Sequence, residues 1–169
     1  MKKYLCLIAM LAAATVLGVF ADDAKTREWG AVTCNAQMSI ELKESKSEIQ
    51  SNQSVYLVIR IKNVSTNDTI GVYQSLAIVV NSLVNFSFVV ISPSGKDVSP
   101  KAAEYFRGGS AGSYSIGPGQ IKTFDYDLNY LCKFDEVGTY KVTAKKRLFP
   151  DLEEKCELVS NSLNIVVSK

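Results

Sequence analysis

Apolar and polar residues alternate with a period of two along much of the chain. In "QMSIELK", Met38, Ile40 and Leu42 alternate with polar positions, and in "SVYLVIRIKN", Val55, Leu57, Ile59 and Ile61 fall on one face. Successive side chains of a strand point to opposite faces, so each stretch predicts a half-buried strand. After the turn "NVSTNDT", the strand "FSFVVIS" runs into "PSGKD", a proline and glycine hairpin signal. "QIKTFDYDL", "TYKVTAKKRL" and "SNSLNIVVSK" supply three more strands. Turn signals recur about every ten residues, β-branched and aromatic residues are enriched, and no amphipathic helical period is present. The pattern predicts an all-β, antiparallel sandwich of about seven to eight strands. The apolar run "GVYQSLAIVVNSLV", Gly71 to Val84, fits a buried strand pair or a short helix equally well. The glycine-rich "RGGSAGSYSIGPGQ", Arg107 to Gln120, reads as a flexible connection in which Pro118 and Gly119 form the turn into the next strand. Shortening it is expected to leave folding intact.

The first 21 residues, "MKKYLCLIAMLAAATVLGVFA", break the alternation: two lysines precede an unbroken apolar core that ends in small residues. That is the layout of a secretory signal peptide, with Val19 and Ala21 at the minus-three and minus-one positions for cleavage after Ala21. The expected organisation is a signal peptide over 1–21, a lead-in over 22–33 and one sandwich domain over 34–169. The chain is then exported, to the periplasm or beyond, with no membrane span after cleavage. Removing Lys2 and Lys3 takes the 19 basic side chains to 17, equal to the 17 acidic ones. Nucleic acid and anionic membranes call for a clustered basic excess, so neither is an expected partner. The basic run "KVTAKKR" alternates on a strand, which puts Lys141, Lys145 and Arg147 on one solvated face.

Candidate chemistry is sparse. The chain contains no histidine, which removes imidazole acid–base catalysis, the usual serine and cysteine triads and most zinc sites. Asp125 and Asp127 share a strand face about 7 Å apart, a spacing common to surface ladders and glycosidase pairs. With Asn129 and Glu136 they stand at positions one, three, five and twelve of a calcium-loop pattern. Position six, where such loops need glycine, is Tyr130, and the flanks read as strands; alternation of Leu128 and Tyr130 inward accounts for the same spacing. The glycine-rich loop lacks a phosphate-binding ending and a following helix. No cofactor and no enzyme activity are expected. Glycosylation-type triplets begin at Asn52, Asn63, Asn67 and Asn85, positions expected in turns or surface strands. Three cysteines remain after cleavage, Cys34, Cys132 and Cys156, which suggests one disulfide and one leftover thiol; spacing leaves the pairing open.

In "DEVGTYKVTA" a glycine stands two residues before Tyr140 and Val142 two after it, at the entrance to a strand. This resembles the tyrosine corner of immunoglobulin-like domains. Val142 takes the place of the second cysteine of antibody domains, and Trp29, the only tryptophan, precedes the first strand. The order "WG", "VYLVIRIKNVS", "FVVISPSGK", "GPGQIKTFDYDL", "VGTYKVTAKKRL" and "SNSLNIVV" resembles secreted bacterial immunoglobulin-like modules, including the family of the intracellular proteinase inhibitors. A further resemblance is to chagasin-type cysteine-protease inhibitors, which present three loops from a similar sandwich. "NDTIG", "GPG" and "RLFP" stand where those loops would be, although no proline follows Asn67 and Leu148 stands where proline would follow Arg147. In an immunoglobulin-like sandwich the start of the first strand and the last hairpin lie at one end, which implies a Cys34–Cys156 disulfide. Cys132 is then left at the opposite end as a buried thiol, or as the bridge of a homodimer.

The resemblance implies a secreted, non-catalytic interaction module for a protein or glycan. Loops on a rigid sandwich are the expected contacts: Gly108, Gly109, Gly112, Tyr114 and Pro118 in the glycine-rich stretch, and Phe149 and Pro150 in the last long loop. The alternatives are a protease inhibitor acting by loop insertion and a structural envelope component that assembles through an exposed edge strand.

Overall fold

The computed structural model describes residues 28–44, 48–51, 53–75, 86–99, 111–130, 132–148 and 156–169. The expected signal peptide, most of the lead-in and residues 76–85 of the long apolar run lie outside the described residues. Among the described residues ten strands form: β1 (Ala36–Leu42), β2 (Glu48–Gln50), β3 (Tyr56–Asn63), β4 (Ile70–Ser75), β5 (Ser87–Ile91), β6 (Ala111–Ile116), β7 (Ile121–Asp127), β8 (Gly138–Arg147), β9 (Glu157–Val159) and β10 (Leu163–Ser168). The count exceeds the expected seven to eight because β2 and β9 are only three residues long and β6 lies within the expected glycine-rich loop.

One sheet has the order β1-β3-β7 and the other β2-β10-β8-β5, with β9 beside the far end of β8. All pairings are antiparallel except β2 with β10. The two apolar faces meet in one core: Met38, Ile40, Leu57, Ile59, Ile61 and Phe124 from the first sheet, and Phe88, Val90, Tyr140, Val142, Ile165 and Val167 from the second. This is the all-β sandwich that the alternation predicts. The edge of β5 is covered by the "PSGKD" return, where Val98 N donates to Val90 O (2.9 Å) and Val90 N donates to Ser99 Oγ (2.9 Å). The Ser99 hydroxyl and N–H in turn hold the Asp97 carboxyl below the usual range.

β4 and β6 form a separate two-stranded ribbon, with Ile70 opposite Ile116 and Val72 opposite Tyr114. The segment Ala111–Ile116 is therefore packed structure, contrary to the expected flexible connection. Its inward positions are Gly112, Tyr114 and Ile116, and Ile116 is only 2% exposed. The intervening serines and glycines hide this period of two, because a strand built from small residues reads as a loop by composition. Shortening this half of the segment would delete a strand. Gly71–Ser75, the described part of the ambiguous apolar run, is strand.

Candidate functional site

Three turns from distant parts of the chain meet at one end of the sandwich. The first is formed by Cys34 and Asn35, which have φ of 47° and 58°. Thr33 and Ala36 on either side exchange both backbone hydrogen bonds, each 2.9 Å. Two consecutive left-handed residues between paired strands make a type I′ hairpin turn. Residues 28–33, expected as a lead-in, are thus the first arm of a hairpin with β1. The second turn, residues 64–69, is organised by Ser65, whose Oγ accepts from Asn67 N (3.2 Å) and Asp68 N (2.9 Å). The third is Gly117–Gln120, closed by Gln120 N donating to Gly117 O at 3.1 Å. Pro118 and Gly119, with φ 69° at the glycine, supply the residue types that a positive-φ turn of this kind requires.

Asn63, the last residue of β3, ties these turns together. It is fully buried, and its Nδ2 donates both to Asp68 O (2.7 Å) and to Ile116 O (2.9 Å). Its Oδ1 accepts from Ser65 N at 2.9 Å, so both donor hydrogens and the acceptor oxygen of the amide are used. Backbone bonds extend the link: Asn63 N donates to Gln120 O (3.0 Å), and Val64 N to Asn35 O (2.8 Å). The Cys34–Cys156 disulfide joins the first turn to the start of β9, with Cα atoms 5.9 Å apart. Leu148 N, just past the end of β8, donates to Cys156 O at 3.0 Å. The ends of β3 and β8 and the starts of β1, β7 and β9 therefore share one end of the molecule. Asn67, Asp68, Thr69, Pro118 and Gly119 are exposed there, and Ile121 is 46% exposed beside them.

The expected contact residues separate in the structure. Pro118 lies in the third turn. Gly112 and Tyr114 lie on β6, where the half-buried Tyr114 ring stands edge-on to Phe124 at 6.0 Å and carries the Lys122 ammonium 4.7 Å from its centroid. Tyr114 is thus a packing residue of the ribbon. Gly108, Gly109, Phe149 and Pro150 lie outside the described residues.

The acidic residues of the calcium-like pattern have separate surroundings. Asp125 pairs with Lys43 Nζ at 2.7 Å, and Asp127 accepts from the backbone N (2.9 Å) and Nδ2 (2.7 Å) of Asn129. Glu136 gives its N–H to the Tyr140 hydroxyl at 2.9 Å, the bond of a tyrosine corner. Among the described residues, no three His, Cys, Asp or Glu side chains gather to hold a metal ion.

At that opposite end Tyr140 is buried and its ring is 5.0 Å from Phe134. Burial pushes the Tyr140 phenol above its ordinary range. Cys132 is the free cysteine and is buried in the core, where desolvation pushes its thiol up to about 12. Lys146 is a feature that sequence reasoning missed. Lys141 is exposed and Lys145 and Arg147 are half-buried, but Lys146 is 1% exposed with its ammonium 5.5 Å from the Phe86 ring. Desolvation lowers its pKa to about 8. The inward set Tyr140, Val142 and Ala144, extended by two, would have found it.

No protein-family model and no curated protein sequence matches the chain. Among solved structures it is similar to the C-terminal domain of Wzt, with 11% identity and a TM-score of 0.47 over 83% of this chain and 77% of that one. It is also similar to a CARDB domain from Pyrococcus furiosus, with 14% identity and a TM-score of 0.40 over 82% and 93%. The likeness to a beta-glucosidase from Listeria innocua has 12% identity and a TM-score of 0.41 over 79% of this chain, which spans 16% of that enzyme's length. These likenesses concern the course of the strands and carry nothing about activity.

Proposed function

We propose that the chain is an exported, non-catalytic interaction module that presents its three-turn end to a protein or glycan. The observation that carries this reading is the convergence of three turns at one end, the second and third held by the buried Asn63 amide and the first by the Val64 N–Asn35 O bond and the disulfide. Loops fixed in advance lose little conformational freedom on binding, which is where preorganised surfaces gain affinity. The exposed side chains there mix apolar Ile121 with Asn67, Asp68, Thr69 and Pro118, a polar composition unlike a polyanion site. The disulfide supports export, because such bonds persist in oxidising compartments. Affinity capture from the source organism's envelope and secreted fractions tests the reading, with Ile121→Asp as a matched bait. A partner held by the unaltered chain and lost by the variant supports it. Equal retention by both baits moves the contact elsewhere, and glycan arrays bound by neither remove the reading.

One observation favours a second reading, inhibition of a cysteine protease by loop insertion. The segments that resemble chagasin-type loops are Asn67–Gly71, Gly117–Gly119 and "RLFP", and the first two and the described part of the last, Arg147–Leu148, reach the same end. Titration against a panel of papain-like proteases checks it, and full residual activity at a large molar excess of the module eliminates it.

A further inference from the structure

Residues 28–35 lie along β1 without adding to the buried core, whose first residue is Ala36. Gly30 N donates to Met38 O (2.9 Å), Gln37 Nε2 donates to Gly30 O (3.1 Å), and Thr33 pairs with Ala36. Farther along, the Asn161 amide brackets the backbone of Ile40, accepting from its N (2.7 Å) and donating to its O (3.1 Å). The hairpin arm and Asn161 thus cap successive positions of the β1 edge that β3 does not use, and open edges invite pairing with other chains. The arm fits closely: a Cβ on Gly30 would stand 1.9 Å from Val159 O.

The turn that holds this arm is unfavourable by itself. Type I′ turns favour Asn-Gly, whereas here a cysteine takes the first left-handed position and an asparagine the second. The disulfide is the one covalent restraint on that turn, and Cys34 is exposed whereas Cys156 is buried. We infer that Cys34–Cys156 is a redox-operated clasp whose reduction frees the 28–35 hairpin from the β1 edge while the sandwich stays folded. A thiolate of a dithiol reductant attacks Cys34 Sγ, and Cys156 leaves as a thiolate that takes a proton. The reductant's second thiol then displaces Cys34 as a thiol, so the protein gains two thiols and the reductant becomes a disulfide. Asn161 keeps its hold on Ile40, whereas the edge at Ala36 and Met38 opens and Val64 loses its bond to Asn35. The inference stands whether or not the three-turn end binds a partner.

Hydrogen exchange read by mass spectrometry, with the full chain oxidised or held in dithiothreitol, is the test. Reduction is expected to speed exchange over residues 28–38 at least about tenfold and to bring them close to unprotected rates, while β3, β7, β8 and β10 stay protected and lose only what the lowered global stability removes. Unchanged protection of 28–38 would overturn the clasp. So would exchange in every strand as fast as in 28–38, which would show the whole fold opening with the disulfide. A disulfide-free pair sharpens the result: Cys34→Ser with Cys156→Ala should behave like the reduced chain. Cys34→Asn, Asn35→Gly and Cys156→Ala together should regain protection, because the turn then has its preferred residues. Should that triple variant stay open, turn conformation is not what the disulfide offsets and the inference fails. If the first variant does not fold, the reduced natural chain still decides.

Discussion

At one end of the sandwich three turns are stitched by Asn63 and a disulfide, whereas at the other the Tyr140 hydroxyl closes a corner beside the Phe134 ring. At the first end a buried side-chain amide fixes the loops through bonds to named backbone atoms, whereas at the second the buried Tyr140 ring packs on Phe134 and its hydroxyl takes a single backbone N–H. Directional bonds fix where a surface loop lies, while apolar packing stabilises the fold without specifying the surface outside it. The proposed contact surface rests on the polar end, and changes at the two ends should separate loop geometry from global stability.

Removing the disulfide should have the largest effect. It closes a sequence separation of 122 residues, for which the chain-entropy model gives up to about 5 kcal/mol, within the 5–15 kcal/mol of an ordinary domain. Urea unfolding of Cys34→Ser with Cys156→Ala, compared with the oxidised chain, measures the loss. Asn63→Ala should come next, at about 3 kcal/mol, because two carbonyls and the Ser65 N–H lose partners that water only partly replaces. Its calorimetric melt should shift down, and exchange should rise in both 64–69 and 117–120, a coupling that local damage to one turn would not produce. Tyr140→Phe should cost only about 1 kcal/mol, since the ring packing stays and one hydrogen bond goes.

The smallest effect is a pH dependence. Lys146 binds its proton less tightly folded, near 8, than unfolded, near 10.5, so between those values the unfolded chain holds more protons and stability rises with pH. Cys132 opposes this from about pH 9 upward, because its thiol, raised to about 12, ionises only in the unfolded chain. A rise of roughly 0.5–1 kcal/mol from pH 8 to 9 is expected in chemical denaturation of the oxidised chain. Lys146→Met should abolish it, and persistence of the rise in that variant would place its source elsewhere.

The sandwich itself was legible, because β1, β3, β7 and β8 each carry an apolar face that period two exposes. Tyr140 was legible from its glycine and the strand entrance beside it. The disulfide followed from fold resemblance and not from spacing. The candidate site was mostly hidden. Asn63 reads as one polar residue at the end of a strand, and its partners lie 5 and 53 residues away along the chain. The first turn escaped notice because its left-handed residues are Cys-Asn, not Asn-Gly. β6 was hidden by its glycines and serines, and Lys146 by a basic run that suggests solvent at every position.

The burial of Asn63 also bears on where this protein can be made. Asn63-Val64-Ser65 and Asn67-Asp68-Thr69 are both acceptor triplets for N-linked sugar, and Asn67 is exposed. A sugar on Asn67 would project into solvent. At Asn63 the Nδ2 atom that would carry the sugar already bonds two carbonyls in the interior. A glycan attached there during synthesis would hold the turns apart, so a secretory host that glycosylates nascent chains would yield misfolded product, and Asn63 would have to close before the modifying enzyme reached it.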